Sequence, residues 1–493
     1  MKYEQRMNQL HERLKEAEFV VTTADIWTGF RKSRAVLAMT VTYIDNAFQR
    51  QTFALACRVF EGSDTREEIA KILHDEHEKS GLSVPNLVAT VTGNAPNFRK
   101  AFRELGLRLD FDEGDKDEWE DNSAGGSHQE EEEESMIPEV PMEDLFDIPS
   151  VSGSTLPPLY KSPSHIMSLV CINALKTAEA ENDTFKGLHR SLMSKVTALC
   201  ETHPLVSSAS ALRTLERHFV TPCPTRWNSL YDTFRFIEQQ NSALLDQVFE
   251  EFVVEKLISI EWQFLTELLE ALKPVASALD HLQSDGERGA LGYLIPRIYE
   301  LNDQLSSELP KKAFVYVNPL IAALKDQLHQ QYGNLIRLDL EDKEVQNCVL
   351  ATVTQPKFKL YWCVDDDAEE AVRQFVMSFA NQNSNVPPVS LSEPDREEEF
   401  GFMAKRQRTA VSERRSHTQL QIMQYLADER KELNSLDSFP LVKKMFLRFN
   451  ARQTSSADVE RLFSAGAIQA GRRSRLYPCH LQRLLFLKSA MNL

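Results

Sequence analysis

The feature that most constrains the fold is a group of three strand-like segments near the N-terminus. Residues 19–28 are rich in β-branched and apolar side chains, and residues 35–45 and 51–60 alternate with a period of two. Their short separations suit adjacent antiparallel strands. A helical pattern over 64–80, with Asp64 as candidate N-cap, precedes a short apolar run at 87–93. This order predicts an α/β domain with a mixed sheet.

The rest of the chain has mainly helical patterns. An apolar-periodic run at 257–283 contains Pro274, which predicts a long helix that is kinked or broken there. We expect a large all-α insertion into the α/β domain, which the C-terminal residues complete. The predicted segments are a helical lead-in (1–18), a first α/β part (19–109), an acidic disordered insertion (110–160), an α/β continuation (161–200), the helical insertion (201–380), a linker (381–418) and a C-terminal region (419–493).

The negative charge of the chain is concentrated in one segment. Residues 110–147 contain 17 Asp or Glu and one Lys, a local net charge of −16 within a total of −17. The remaining chain is therefore close to neutral, and its folded surfaces need not repel nucleic acid. Few apolar groups and strong self-repulsion predict disorder in the acidic segment itself.

Composition favours a protein of a reducing compartment that has no membrane segment. We find no run of 18 apolar residues long enough to span a bilayer. The polar start of the sequence lacks the apolar stretch of a signal peptide. The seven cysteines are scattered, without CxxC spacing, which favours free buried thiols over disulfides or a zinc cluster.

The order of the first elements is that of an RNase H-like fold. In that fold, carboxylates at strand ends and on a late helix hold two divalent metals for phosphoryl transfer. Asp25 lies on the first strand, Gly93 follows the fourth, and Glu460 is the downstream candidate. By pattern alone, a single strand-end aspartate is more often a turn or capping residue.

Several motifs across the chain resemble the hAT family of DNA transposases. TTADIWTG (22–29) resembles the segment around the first catalytic aspartate, and VTGNAPNFRKAF (91–102) resembles the segment around the second. SSADVERLFSAGAIQAGRRSRLYPCHLQRLLFLK (455–488) is similar to the family's C-terminal dimerisation motif, which carries the third carboxylate. CPTRWNSLYDTFRFI (223–237) and KPVASALDHLQ (273–283) are also family-like. The resemblance implies an RNase H-like five-stranded sheet with Asp25 and Glu460 as a remnant catalytic pair.

The departures from the family pattern predict that catalysis is lost. Gly93 stands where the resemblance places the second aspartate, and it has no side chain to bind a metal. The family's Cys-x-x-His is represented by Ser162 and His165, and we expect His165 to be a packed core residue. We expect the acidic insertion to protrude near the face that binds DNA in the resembled family, where it would repel phosphate. We expect no zinc-binding BED finger, since no cysteine precedes Cys57.

Two basic groups are candidates for DNA binding. The resemblance implies that Trp227 stacks on a DNA hairpin or flipped base, and the neighbouring guanidinium of Arg226 also suits a base. Alternatively, Trp227 packs at the start of the helical region. Arg472, Arg473 and Arg475 lie where the family's basic residues approach DNA, or else they form a charged turn that pairs with carboxylates such as Glu460.

The C-terminal region is the strongest positive functional signal. It carries an almost continuous apolar stripe, which predicts burial in the protein's own core, in a partner, or in both. The candidate dimerisation residues are Leu462, Phe463, Leu476, Leu484, Leu485, Phe486 and Leu487. A homodimer, or a heterodimer with related hAT proteins, is therefore expected. KRQR (405–408) is either a nuclear import signal or a solvated loop.

The leading hypothesis is a transposase-derived nuclear protein that is no longer an enzyme, needs no cofactor and acts through dimerisation. An alternative is an active transposase or nuclease that uses Mg²⁺, with Asp112 or Asp115 replacing the missing ligand. A third possibility is sequence-tolerant DNA binding without catalysis.

Overall fold

A computed structural model describes the larger part of this chain. The described residues are 2–30, 34–59, 66–82, 86–92, 157–202, 227–240, 242–383 and 418–461, with 480, 483–484 and 486–487 near the C-terminus. The acidic segment, Gly93, Asp112, Asp115 and the basic run at 405–408 lie outside these residues.

The N-terminal part contains the predicted mixed sheet, which has five strands in the order β3-β2-β1-β4-β5. β1 pairs antiparallel with β2, and β2 with β3. β4 pairs parallel with β1, and β5 pairs parallel with β4. The strands are β1 (Val20–Phe30), β2 (Arg34–Ile44), β3 (Arg50–Val59), β4 (Leu87–Thr92) and β5 (Leu159–Lys161). Four of the five strands therefore lie where the alternation and the apolar run predict them.

One face of the sheet is apolar and is covered by two helices, α1 (Lys2–Glu16) and α2 (Arg66–Lys79). Leu10 and Leu14 of α1 and Leu73 of α2 pack with Val20 and Ala24 of β1 in one core cluster. Because side chains alternate across a strand, residues 20, 22, 24 and 26 of β1 point to this face, and residues 21, 23 and 25 point to the other.

A small polar network is buried under α2. The Thr22 hydroxyl lies 3.2 Å from His77 Nε2 and 2.8 Å from the Thr90 hydroxyl. Burial lowers the pKa of His77 to about 4, with a smaller contribution from His74. His77 is therefore neutral at physiological pH, because its site stabilises the uncharged imidazole.

A large helical region follows β5, as the sequence predicts. The first helix, α3, begins with Pro163 at its first turn after the N-cap Ser162. The helices are α3 (Pro163–Glu181), α4 (Asp183–Thr202), α5 (Trp227–Glu238), α6 (Ser242–Glu251), α7 (Ser259–Leu282), α8 (Leu294–Asp303), α9 (Asn318–Ile336), α10 (Lys343–Val353) and α11 (Asp366–Asn383). None of the helices among the described residues has the length and apolar character needed to cross a membrane.

The long helix α7 continues through Pro274, so of the two predicted outcomes, a kink or a break, the break does not occur. A proline inside a helix removes one backbone hydrogen bond. Buried residues on both sides of the proline, Leu268, Leu272, Val275 and Leu279, keep the helix packed in the core of the helical region.

The C-terminal part begins with α12, over residues 418–427, and α13 (Pro440–Asn450). A series of bends over 451–456, with an isolated β-bridge from Gln453 to Ala290, and a helical turn over 457–461 follow. We call residues 450–461 the C-terminal crossing segment, because it runs from the helical region onto the sheet. Asn450, at its start, bonds through its amide to Ala351 O at 3.0 Å and to Gln355 Nε2 at 2.9 Å.

Candidate functional site

The candidate site lies where the pairing between the parallel neighbours β1 and β4 ends, at the last residue of β4. Their register pairs Thr23 with Val91 and Ala24 with Thr92. Ala24 and Thr92 come directly before Asp25 and Gly93 in the chain. β1 continues beside β2 to Phe30, so Asp25 lies in the middle of its strand and not at a strand end, where the sequence suggested it. Asp25 is half-buried, and its Oδ1 accepts a hydrogen bond from Ile26 N at 2.8 Å.

The C-terminal crossing segment lies on the face of β1 to which Asp25 belongs. Val21 packs in one cluster with Ala451, and the Thr23 hydroxyl donates to Gln453 Oε1 at 3.3 Å. The segment therefore advances along β1 in the direction of Asp25. Glu460 follows in the helical turn over 457–461, so the elements that carry the two candidate carboxylates meet on one side of the sheet.

Asp458 is a second carboxylate of this face, which the sequence did not single out. Its Oδ2 accepts from Gln453 Nε2 at 2.6 Å, and its Oδ1 pairs with Arg461 Nη1 at 2.5 Å. Burial raises the pKa of Asp458, although the Gln453 bond and the Arg461 charge oppose that shift. Gln453 also donates to Thr52 Oγ1 at 3.3 Å, so the segment is bonded to β3 as well as β1.

Arg50 of β3 adds a cation beside this carboxylate. Its Nη2 donates to Asn450 O at 2.7 Å, and burial lowers its pKa to about 10 against the opposing charge of Asp458. Two guanidinium groups, those of Arg50 and Arg461, therefore compete with any metal ion for the charge of Asp458.

The described residues do not fit a two-metal site. Within the part of the chain that the structure describes, no three His, Cys, Asp or Glu side chains converge to hold a metal ion. Mg²⁺ requires several hard oxygen ligands in octahedral geometry. Gly93, at the position where a further carboxylate is expected, could not supply one.

The positions compared with the family's Cys-x-x-His have a structural role. Ser162 caps α3, where its hydroxyl accepts from His165 N at 3.4 Å. The Ser164 hydroxyl donates to Ser455 Oγ at 3.0 Å, and Ser164 N donates to Thr454 O at 2.9 Å. Burial lowers the pKa of His165, which favours its neutral form. These residues join the start of the helical region to the C-terminal crossing segment.

Most of the predicted DNA-binding and dimerisation residues lie outside the described residues. Trp227 is the first residue of α5, but its side chain is not described. The predicted residues that lie wholly outside the described part of the chain are Arg226, Leu462, Phe463, Arg472, Arg473, Arg475, Leu476 and Leu485.

Three candidate dimerisation residues are described. The Phe486 ring meets that of Tyr3 edge-on at 5.2 Å between centroids, and Leu487 packs against the same core cluster under α1. Leu484 is 37% exposed. Packing within one chain therefore explains the apolar character of Phe486 and Leu487, whereas Leu484 remains accessible to a partner.

Comparisons with family models and with curated proteins returned no match to this chain. The hAT resemblance therefore depends on the sequence motifs.

Proposed function

We propose that this chain is a hAT-transposase-like protein with an RNase H-like domain, that it no longer transfers DNA strands, and that it acts by binding. The observation that carries this proposal is the pairing of β1 with β4, whose last pair is Ala24 and Thr92. The strand order 3-2-1-4-5 suits an RNase H-like sheet, and its register pairs Ala24, the residue before Asp25, with Thr92, the residue before Gly93.

The chemistry at these two positions supports a loss of activity. Phosphoryl transfer by metal ions depends on positioning and charge stabilisation, and both require the full set of carboxylate ligands. Glycine in place of one ligand removes a negative charge and leaves no side chain to position a metal ion. Arg50 and Arg461 beside Asp458 make that carboxylate a poor substitute.

A strand-transfer assay tests the loss of activity. We expect the purified full chain to leave hairpin-prone transposon ends intact in Mg²⁺ or Mn²⁺, and the Asp25→Ala variant to behave in the same way. Metal-dependent cleavage or transfer that Asp25→Ala abolishes would overturn the proposal in favour of an active enzyme.

The binding role that we propose is dimerisation, with itself or with a related hAT protein, in the nucleus. Exposure of Leu484 at the end of the motif-bearing C-terminal region favours it. DNA contact through Arg226, Trp227 and the arginines at 472, 473 and 475 remains part of the same proposal.

Sedimentation equilibrium tests dimerisation with matched variants. We expect a dimer mass for the wild-type chain and a monomer mass for Leu484→Glu. Leu420→Glu is the control, because Leu420 is 52% exposed but lies on α12 outside the motif. A monomeric wild-type chain, or a Leu484→Glu variant that stays dimeric, would contradict this arrangement.

A further inference from the structure

A cavity in the helical region carries an excess of positive charge. It has a volume of about 250 Å³ and lies where the end of α7, the start of α8 and the residues after α10 meet. Three permanent cations, Arg288, Arg297 and Lys357, line it together with one carboxylate, Glu300. Glu300 pairs with Arg297 at 2.6 Å, so the charges of the other two cations are left over.

Arg288 and Lys357 are available to a ligand. Both side chains are exposed, and neither forms an ion pair with a carboxylate of the described part of the chain. Lys357 Nζ lies over the rings of Tyr293 and Phe358, at 5.9 Å and 5.8 Å from their centroids. The ammonium group is therefore held at the cavity wall by aromatic rings, which do not neutralise its charge.

The aromatic part of the cavity wall is well fixed. The Tyr293 and Phe358 rings meet edge-on at 4.8 Å, and the Tyr293 hydroxyl donates to Glu287 Oε1 at 2.5 Å. The segment that carries Arg288 and Tyr293 is also tied to the C-terminal crossing segment. Leu291 N donates to Arg452 O at 3.1 Å, and Thr454 N donates to Gly289 O at 3.0 Å.

We propose that this cavity binds one nucleotide unit, with its phosphate against Arg288 and Lys357 and its sugar or base against Tyr293 and Phe358. Guanidinium groups match phosphate oxygens in geometry as well as in charge, and aromatic rings accept any base face. The volume is below the usual range of roughly 300–1,000 Å³ for drug-sized ligands, which limits the occupant to a single unit. The site depends only on its lining residues and is independent of the proposed dimerisation and loss of catalysis.

Two sources can supply this chemistry, a free nucleotide or one residue of a single-stranded nucleic acid. Isothermal titration calorimetry of the full chain with adenosine 5′-monophosphate and with a single-stranded oligothymidine distinguishes them. Binding of the mononucleotide identifies a free nucleotide, and binding of the oligonucleotide alone identifies a strand. Adenosine and inorganic phosphate serve as the two partial ligands, and each should bind much more weakly.

Charge-reversal variants locate the binding. Arg288→Glu should weaken binding at least about tenfold, because it replaces a phosphate contact with a repelling charge. Lys311→Glu makes the same charge change at an exposed lysine of the helical region that does not line the cavity, and it should leave affinity within about twofold. With the oligonucleotide, Arg288→Glu should also reduce the slope of log affinity against log salt concentration by about one.

The proposal is overturned if the wild-type chain binds neither ligand, or if Arg288→Glu binds as tightly as Lys311→Glu. Equal affinity for inorganic phosphate and the mononucleotide would overturn the assignment of a nucleotide. Circular dichroism spectra matching the wild type establish that the exposed substitutions leave the fold intact.

Discussion

Replacing Glu344 with alanine should release the C-terminal crossing segment from the helical region. The Arg452 side chain is only 4% exposed, and its Nη1 donates to Glu344 Oε2 at 2.7 Å while its Nη2 bonds to the other carboxylate oxygen. The guanidinium centre lies 3.6 Å from the centroid of the Tyr160 ring on β5. One buried ion pair therefore joins the crossing segment, α10 and the sheet.

The expected cost follows from this burial. Removing one partner of a buried pair leaves an uncompensated charge, which costs about 3–5 kcal/mol. Since about 1.4 kcal/mol corresponds to a factor of ten, local opening should become roughly a hundred-fold or more easier. Glu344→Gln keeps an acceptor and should cost less. The double variant Arg452→Met with Glu344→Leu removes both charges and should recover most of the loss.

Hydrogen exchange measured by mass spectrometry reports this opening directly. The amides of Leu291 and Thr454 donate across the junction, so both should exchange faster in Glu344→Ala. The Val41 amide, in the middle of β2, serves as the internal reference. Unchanged exchange at Leu291 and Thr454, or a double variant that exchanges faster than Glu344→Ala, would refute the reasoning.

Three further predictions concern stability, measured as shifts in urea midpoints. Val253 has a left-handed φ of 58° and is 93% exposed, so Val253→Gly should stabilise the protein by about 1 kcal/mol, and a lower midpoint would refute this. At Gly292 an added Cβ would lie 2.6 Å from Ala351 O, so Gly292→Ala should destabilise the protein by about 1–3 kcal/mol. Gly187→Ala is the control, because a Cβ at Gly187 on α4 meets open space, and it should leave stability unchanged or raise it. Because the folded pKa of His77, about 4, is below the usual value near 6.5, its contribution of about 3 kcal/mol is present above pH 6.5 and is lost as pH falls toward 4. His77→Leu should flatten that pH dependence, and an unchanged slope would count against the burial argument.

Local patterns predicted the sheet well because its strands are long and half-buried. The alternating segments at 35–45 and 51–60 correspond to β2 and β3 within one residue at each end. β5 has only three residues, too few to show a period, and pairing with β4 alone defines it. Pro274 suggested a kink or break, but apolar packing along α7 kept the helix continuous.

The candidate site was only partly predictable, because its contacts join residues that are distant in sequence. Thr23 bonds to Gln453 across 430 positions, and Arg452 bonds to Glu344 across 108. No local pattern reports such pairs. Asp458 lies two residues before Glu460 in the C-terminal motif, and the need of a buried segment to satisfy its polar groups is the signal that points to it.

Calorimetric titration of the Gly93→Asp variant with Mn²⁺ tests the central claim most directly, namely that Asp25 and Gly93 mark a broken metal-binding pair. If the β1–β4 register continues by one residue beyond Ala24 and Thr92, a carboxylate at position 93 should lie beside Asp25 and create Mn²⁺ binding that is absent from the wild-type chain. Adding Asp25→Ala should abolish that binding. Mn²⁺ binding by the wild-type chain that depends on Asp25, or a folded Gly93→Asp variant without metal affinity, would contradict the claim.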